Sequence, residues 1–323
     1  MRRRRFLSRS VSGITGLAGF VALGLGQKLR APGVERLPLA RRALGRTGAR
    51  LSIVGLGGVV LMNESPASAS RIVSEAVDLG VNYFDVAPSY GNAQELLGPA
   101  LKPYRAGAFL ACKTTMRDAA GAAAELEGSL KALATDHLDL YQLHALTTLD
   151  DVRRALGPRG ALETFVKARQ EGKIGHIGFS AHSVEAALEA MKQFDFATIL
   201  FPVNFVCWYK AGFGPEVVKA AEEKGMGVLA IKALARAPWT DEDMRRQWPK
   251  LWYQPVTDPG QADKALRFTL SQPVTAAVPP GDIRMFRLAV DIAQSFTVIN
   301  EKEERDLRDL AATLTPIFPQ AQK

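Results

Sequence analysis

The chain has 323 residues, 47% of them hydrophobic and 23% charged, with a mean hydropathy near zero, which excludes a disordered or collagen-like chain and provides for a large buried core. A formal charge of +8 raises the question of a nucleic-acid or membrane-surface partner. Seven of those charges (Arg2, Arg3, Arg4, Arg5, Arg9, Lys28 and Arg30) fall within residues 1–30, where no acid offsets them, and the near-neutral remainder argues against nucleic acid as a partner.

Residues 1–30 have the layout of an export signal: arginines first, then an apolar run from Val11 to Gly26 with no charge. The segment Arg3-Arg4-Arg5-Phe6-Leu7 resembles the twin-arginine motif that directs folded proteins across the bacterial inner membrane. The resemblance implies the twin-arginine export machinery as a partner and a periplasmic or otherwise exported location. Glycine, serine and threonine dilute the run, which is short and weak for a span of about 20 residues, so no stable membrane span is expected. Ala22-Leu23-Gly24 offers a small-x-small cleavage site, and an uncleaved anchor stays open.

Residues 31–323 read as a single domain. Leu37–Arg50 carries turn signals and charges and is expected to form a strand pair closing one end of the fold. From there eight strands are expected: Leu51–Gly57, Val81–Val86, Ala108–Lys113, Leu138–His144, Ile174–Ser180, Thr198–Val203, Gly227–Ile231 and Thr275–Val278. Between and after them lie helical patterns at Ser68–Leu79, Gln94–Leu101, Ala119–Leu133, Asp150–Gln170, Val184–Phe194, Pro215–Lys224, Gly260–Leu270 and Met285–Ser295. Trp239–Pro259 reads as a long loop after the seventh strand, and Glu301–Leu314 as a final charged helix. Strict alternation with strands too apolar to face water predicts an α/β fold, a closed (β/α)8 TIM barrel, ahead of an open doubly wound sheet.

Gly55-Leu56-Gly57-Gly58 lacks the third glycine of a dinucleotide-binding fingerprint, and reads instead as a close approach of backbone to a ligand. Cys112 and Cys207 each sit in an apolar stretch and are expected to be buried and unpaired, and neither has a partner at metal-ligand spacing.

In such a barrel the chemistry gathers at the C-terminal ends of the strands. The second strand ends near Asp85 with Tyr90 in the following turn, the third ends in Lys113, and the fourth in His144. Each has a structural explanation alone, as a cap, a loop aromatic, a solvated lysine or a satisfied core histidine. Together they put an acid, a phenol, an ammonium and an imidazole on one rim in consecutive units.

These residues lie in segments that resemble the aldo-keto reductase family. Asn82-Tyr83-Phe84-Asp85-Val86-Ala87-Pro88-Ser89-Tyr90-Gly91 is similar to its N-x-x-D-T-A-x-x-Y-G segment, Ala111-Cys112-Lys113-Thr114 to its lysine strand, and Asp139-Leu140-Tyr141-Gln142-Leu143-His144 to its D-L-Y-x-x-H strand. Leu44-Gly45-Arg46-Thr47-Gly48 and Glu171-Gly172-Lys173-Ile174 through Ser180 extend the likeness, which spans roughly residues 40–310. It implies hydride transfer from a nicotinamide cofactor, NADPH more often than NADH, to a small-molecule carbonyl substrate. Reduction also needs a proton at oxygen, and a phenol of pKa about 10 is a poor donor unaided. Tyr90 is therefore expected to be the general acid, Lys113 to lower its pKa, Asp85 to hold the lysine, and His144 to orient the carbonyl.

The family's usual cofactor grip is only partly present. Ser180 is retained, but Ala181 and Leu200 replace its asparagine and glutamine, and Ile231 stands where a tyrosine commonly stacks. Lys232 is a candidate for the pyrophosphate. In the segment similar to the reader of the adenosine 2′-phosphate, Arg287 is kept and Asp291 replaces asparagine, while Gly281 and Asp282 replace lysine and serine. An aspartate repels a phosphate, so the preference for NADPH over NADH is expected to be modest. Trp208, Tyr209 and Trp239 are candidates for an aromatic substrate pocket. Two other readings are carried forward: a non-enzymatic nucleotide-binding barrel, and a Schiff-base lyase using Lys232 or Lys113.

Overall fold

The computed structural model describes residues 38–318, so the expected export segment lies outside the described residues. A short hairpin opens the fold, β1 (Arg41–Ala43) pairing antiparallel with β2 (Arg50–Ser52). The barrel strands follow as β3 (Leu56–Gly57), β4 (Tyr83–Asp85), β5 (Phe109–Thr114), β6 (Leu138–Leu146), β7 (Ile174–Ala181), β8 (Thr198–Pro202), β9 (Gly227–Ile231) and, last, β12 (Ala276–Val278). Neighbours are parallel in the order β3-β4-β5-β6-β7-β8-β9-β12. A parallel bridge from Val54 to Ala277 joins the first strand region to the last, through Gly55 N–H to Ala277 O at 3.0 Å and Ala277 N–H to Ile53 O at 2.9 Å. That seam makes the sheet a barrel and rules out the doubly wound alternative.

Period-2 alternation assigns each side chain. Tyr83, Phe109, Ala111, Leu140, Leu200, Leu229 and Ala276 fill the barrel interior, with Leu44 and Leu51 from the hairpin buried among them. The hairpin thus plugs the N-terminal end, as expected of Leu37–Arg50. Alternate residues such as Phe84, Leu110, Tyr141, Phe179 and Phe201 face outward into the layer shared with the helices. Gly55 serves this packing: a Cβ there would lie 2.4 Å from the Tyr83 ring. The glycine run is therefore a packing device at this position, where close approach to a ligand was expected.

The outer layer comprises α1 (Pro66–Asp78), α2 (Ala93–Leu101), α3 (Ala119–Ala132), α4 (Leu149–Leu156), α5 (Ala161–Gln170), α6 (Val184–Gln193), α7 (Phe205–Ala211), α8 (Pro215–Glu223), α10 (Pro259–Ser271), α11 (Ile283–Gln294) and α12 (Glu301–Thr313). Side-chain caps start many of them: Ser65, Asp118, Thr148, Ser183, Asn204, Asp258, Asp282 and Asn300 each accept a backbone N–H of the first turn, worth about 1 kcal/mol apiece. The expected single helix over 150–170 is two. Gly157 ends α4, Pro158 offers no N–H, Arg159 turns back at φ +60°, and Gly160 starts α5. The long segment after the seventh barrel strand is not structureless: it folds into a hairpin of β10 (Ala235–Pro238) and β11 (Tyr253–Pro255) with a short α9 (Glu242–Arg246) at its tip.

Among the described residues no helix is long and apolar enough to cross a membrane, and no group of three His, Cys, Asp or Glu is placed to hold a metal. Cys112 and Cys207 are both buried and free.

Candidate active site

Asp85, Lys113 and Gln142 point inward from β4, β5 and β6 just above the apolar filling, and form the floor of the site. Lys113 is fully buried and ion-paired with Asp85, whose side chain is only 3% exposed. The ammonium also donates to Val86 O at 3.1 Å. Asp85 accepts from the Tyr83 hydroxyl at 3.1 Å and from Gln142 Nε2 at 3.4 Å, so the carboxylate is held from three directions. Burial alone pulls an ammonium's pKa down, but the charges of Asp85 and Tyr90 outweigh it and hold the Lys113 pKa above its ordinary value. The pair with Asp85 favours the charged form of Lys113.

Tyr90 reaches this floor from the turn after β4. Lys113 Nζ lies 5.2 Å from the centre of its ring, and the His144 ring meets it edge-on at 5.8 Å between centroids. Burial raises the Tyr90 phenol first and most, and Lys113 draws it back without restoring the ordinary value, so the net direction is upward. Lys113 acts in the expected direction, lowering the phenol's pKa, and desolvation outweighs it. A phenol that stays protonated until negative charge appears beside it is still the state required of a proton donor.

His144 stands where β6 departs from regular pairing. The register with β7 shifts between Leu143 and Leu146, and Ala145 takes a left-handed φ of +54°. The kink is tied down on both sides: Ala145 N–H donates to Ser180 Oγ at 2.7 Å, while Arg117 Nη2 donates to the carbonyls of His144 and Ala145 at 2.8 and 3.1 Å. Burial, then the charges of Lys113 and its neighbours, push the His144 pKa down to about 3. The imidazole is therefore neutral and able to donate one N–H without carrying a charge, and Ser89 Oγ lies 3.5 Å from its Nδ1.

The other expected residues are placed as follows. Ser180 is buried on β7 beside His144, its oxygen engaged by Ala145. Lys232 follows β9 at φ +68°, with Nζ 5.1 and 5.2 Å from the ring centres of Trp252 and Tyr253; burial and Lys113 lower its pKa to about 8. Gly281 packs on Val59, where a Cβ would come within 2.2 Å. Asp282 caps α11 and pairs with Arg284. Arg287 makes a two-pronged pair with Glu75 of α1 at 2.7 and 2.8 Å, and Asp291 lies a turn further along α11. The three aromatic candidates are engaged in packing. Trp208 and Tyr209 meet Phe268 of α10, the Tyr209 hydroxyl donates to Glu304 of α12 at 2.7 Å, and Trp239 Nε1 donates to Leu251 O at 3.0 Å.

Sequence reasoning missed His182, Trp252, Tyr253 and Phe318. His182 follows the end of β7, two residues after Ser180, and meets Phe318 at 5.1 Å between ring centres, and Phe318 meets Trp252 at 5.8 Å. Burial, then Lys232, lowers the His182 pKa to about 4. A polar residue at a strand end was the available signal for His182. The aromatic residues lie in a loop hairpin and a chain terminus, whose return to the rim no local pattern reveals.

A buried acid–lysine pair beneath a tyrosine and a neutral histidine, at the C-terminal end of a parallel barrel, agrees with the comparisons with known proteins. The aldo/keto reductase family model matches residues 54–308, and the chain belongs to that family. It is 27% identical over 304 residues, 84% of this chain and 96% of the other, to an uncharacterized oxidoreductase, YqkF, of Bacillus subtilis. It is 28% identical over 243 residues, 69% of this chain and 73% of the other, to L-galactose dehydrogenase of Arabidopsis thaliana. Among solved structures, the holo form of aldo-keto reductase AKR11C1 from Bacillus halodurans superposes with a TM-score of 0.68 at 23% identity, covering 86% of this chain and 98% of that one. The protein is an NAD(P)H-dependent oxidoreductase.

Proposed function

We propose that the protein reduces an aldehyde or ketone to the alcohol, with Tyr90 as the general acid. The observation that carries this reading is Lys113, wholly buried between the Asp85 carboxylate and the Tyr90 ring. As the carbonyl oxygen gains negative charge, the Tyr90 hydroxyl gives it a proton, and the ammonium stabilises the phenolate left behind. Asp85 keeps the ammonium charged and fixed, with Tyr83 and Gln142 holding Asp85. Neutral His144 donates an N–H to the same carbonyl oxygen and sets its angle.

A reduced nicotinamide, when bound, supplies the hydride to the carbonyl carbon. The donor set fits such a group at one end: the Ser180 hydroxyl accepts from Ala145 and keeps its own proton to donate to a carboxamide. The other end is less well furnished for a 2′-phosphate, because Asp282 is acidic and Arg287 is already paired with Glu75. Cofactor use is accordingly proposed as NADPH with only a modest preference over NADH.

Titration of purified protein with NADPH and NADH by fluorescence, followed by turnover of an aldehyde panel, tests this reading. Tyr90→Phe should lower kcat by about 100- to 10,000-fold while nucleotide binding persists. Failure of both nucleotides to bind removes the reductase reading, and binding without turnover favours a nucleotide-binding scaffold. Turnover that survives Tyr90→Phe means that the acid is another group.

The arginine-rich start of the chain supports a further proposal, export of the folded protein by the twin-arginine route. Conversion of Arg3 and Arg4 to lysine should hold the protein in the cytoplasm of a bacterial host. Periplasmic recovery of that variant would refute the route.

A further inference from the structure

Resting on the reductase reading, we propose that Arg117 is a positioning residue for the reaction: by gripping the main chain at the bend in β6, it sets where the His144 imidazole stands. Leu143 of β6 faces Phe179 and Leu146 faces Ala181, so two residues, His144 and Ala145, stand opposite the single Ser180. A bulge of this kind bends its strand and re-aims the side chain at the bend. Here that side chain is the imidazole. Ala145 takes φ +54°, a conformation that L-residues keep only where the surroundings impose it. His144-Ala145-Leu146 contains no glycine or asparagine to favour it, so the constraint comes from other segments.

Arg117, between β5 and α3, supplies much of that constraint. Its side chain is only 10% exposed. Nη2 donates to His144 O at 2.8 Å and to Ala145 O at 3.1 Å, Nη1 to Thr115 O at 3.2 Å, and Nε to Asp151 Oδ1 at 3.1 Å. A planar guanidinium holds these acceptors at fixed angles, which the point charge of a lysine cannot reproduce. The fork is itself held. Asp151 Oδ2 accepts from Thr147 N–H at 3.0 Å, Thr147 Oγ1 at 2.8 Å and Thr148 N–H at 3.1 Å, at the start of α4. Arg117 O accepts from Ala161 N–H at 2.9 Å, and Ala119 N–H donates to Arg159 O at 2.9 Å, so the main chain around Arg117 is tied to the junction of α4 and α5. A purely stabilising role needs no more than the ion pair with Asp151. The two carbonyl bonds place the constraint on the peptide that carries the imidazole, whose ring meets Tyr90 edge-on at 5.8 Å.

The test measures butanal reduction with NADPH. Arg117→Met should lower kcat by about 10- to 100-fold, the scale of a misplaced group, with NADPH affinity by fluorescence titration nearly unchanged. In a His144→Gln background the same change should cost no more than about 2-fold, because residues that act through one another are not additive. Arg117→Lys should recover little of the rate. Proton NMR adds a readout that needs no turnover. The His144 ring signals, identified by their loss in His144→Gln, lie in the field of the Tyr90 ring and should move in Arg117→Met, while those of His176, near the start of β7, stay in place. If Arg117→Met does not fold, Asp151→Asn, which releases Nε, should show the same two effects at smaller size.

An equal loss of rate with and without His144 overturns the inference, because Arg117 then acts on the barrel in general. So does a wild-type rate in Arg117→Met or Arg117→Lys, or a parallel loss of NADPH binding, which makes the cofactor the dependent group. An unmoved His144 signal in Arg117→Met overturns it whatever the rates. A wild type that binds nucleotide but reduces no carbonyl compound removes the reductase reading, while a displaced His144 signal in Arg117→Met still shows that Arg117 places the imidazole.

Discussion

Replacing Lys113 with methionine isolates the energetics of the buried pair beneath the site. The side chains are nearly isosteric, so the change removes a charge with little change in volume. Asp85, with a side chain 3% exposed, would keep only the Tyr83 hydroxyl at 3.1 Å and the Gln142 amide at 3.4 Å. Breaking a buried pair by removing one partner costs about 3–5 kcal/mol, because the other charge is left without compensation. For a domain of this size that corresponds to a fall in Tm of about 5–8 °C. Urea denaturation at pH 7 should report the same loss, with an unchanged m-value if only the native state is affected. Adding Asp85→Asn should return most of the stability while activity stays abolished, since the carboxylate's role toward the lysine is gone in both. A Lys113→Met protein as stable as wild type, or a double variant no more stable than the single one, would refute the account of Asp85 as a carboxylate stranded without its ammonium.

Two further outcomes follow from the charge arrangement. His144 and His182 are held unprotonated when folded, with pKa values of about 3 and 4 against 6.5 for a free histidine. The unfolded chain therefore takes up protons that the native state refuses, and stability should fall as pH drops from about 6.5 toward 4. The slope should approach about 1.4 kcal/mol per pH unit for each histidine; His144→Gln should flatten it in urea titrations at several pH values, and an unchanged slope counts against a neutral buried imidazole. Glu75→Gln frees Arg287 from its two-pronged pair. The ratio of NADPH to NADH affinity, measured by fluorescence titration, should rise by about 5- to 10-fold, the scale of one charge-assisted contact; no change means that Arg287 does not face the 2′-phosphate.

Much of the barrel was legible because the strands are short apolar runs, and Asp85, Lys113 and His144 are polar residues at or near the C-terminal ends of three of them. Tyr90 was legible through the turn chemistry that follows Asp85. What could not be read depends on contacts between distant segments. Arg287 looks like a free cation in its helix, and only the packing of α11 on α1 gives it Glu75. Trp252 and Tyr253 return to the rim because a loop folds into a hairpin, whereas Trp208 and Tyr209, closer to a strand in sequence, turn to α10 and α12. The lowering influence of Lys113 on Tyr90 was visible in the sequence, while the depth of burial opposing it was not. The break between α4 and α5 was present in Gly157-Pro158-Arg159-Gly160, but amphipathic periodicity on both sides masked it.

The bridge between Val54 and Ala277 has a consequence for how the chain acquires its structure. The two residues are separated by about 220 positions, and the contact that turns a curved sheet into a cylinder waits until nearly the whole chain is available. Until then β3 and β12 are open edges with unpaired backbone groups, able to recruit strands from other molecules. Loss of the final strand would therefore leave a nearly complete sheet unsealed for good, with β3 and β9 as its open edges.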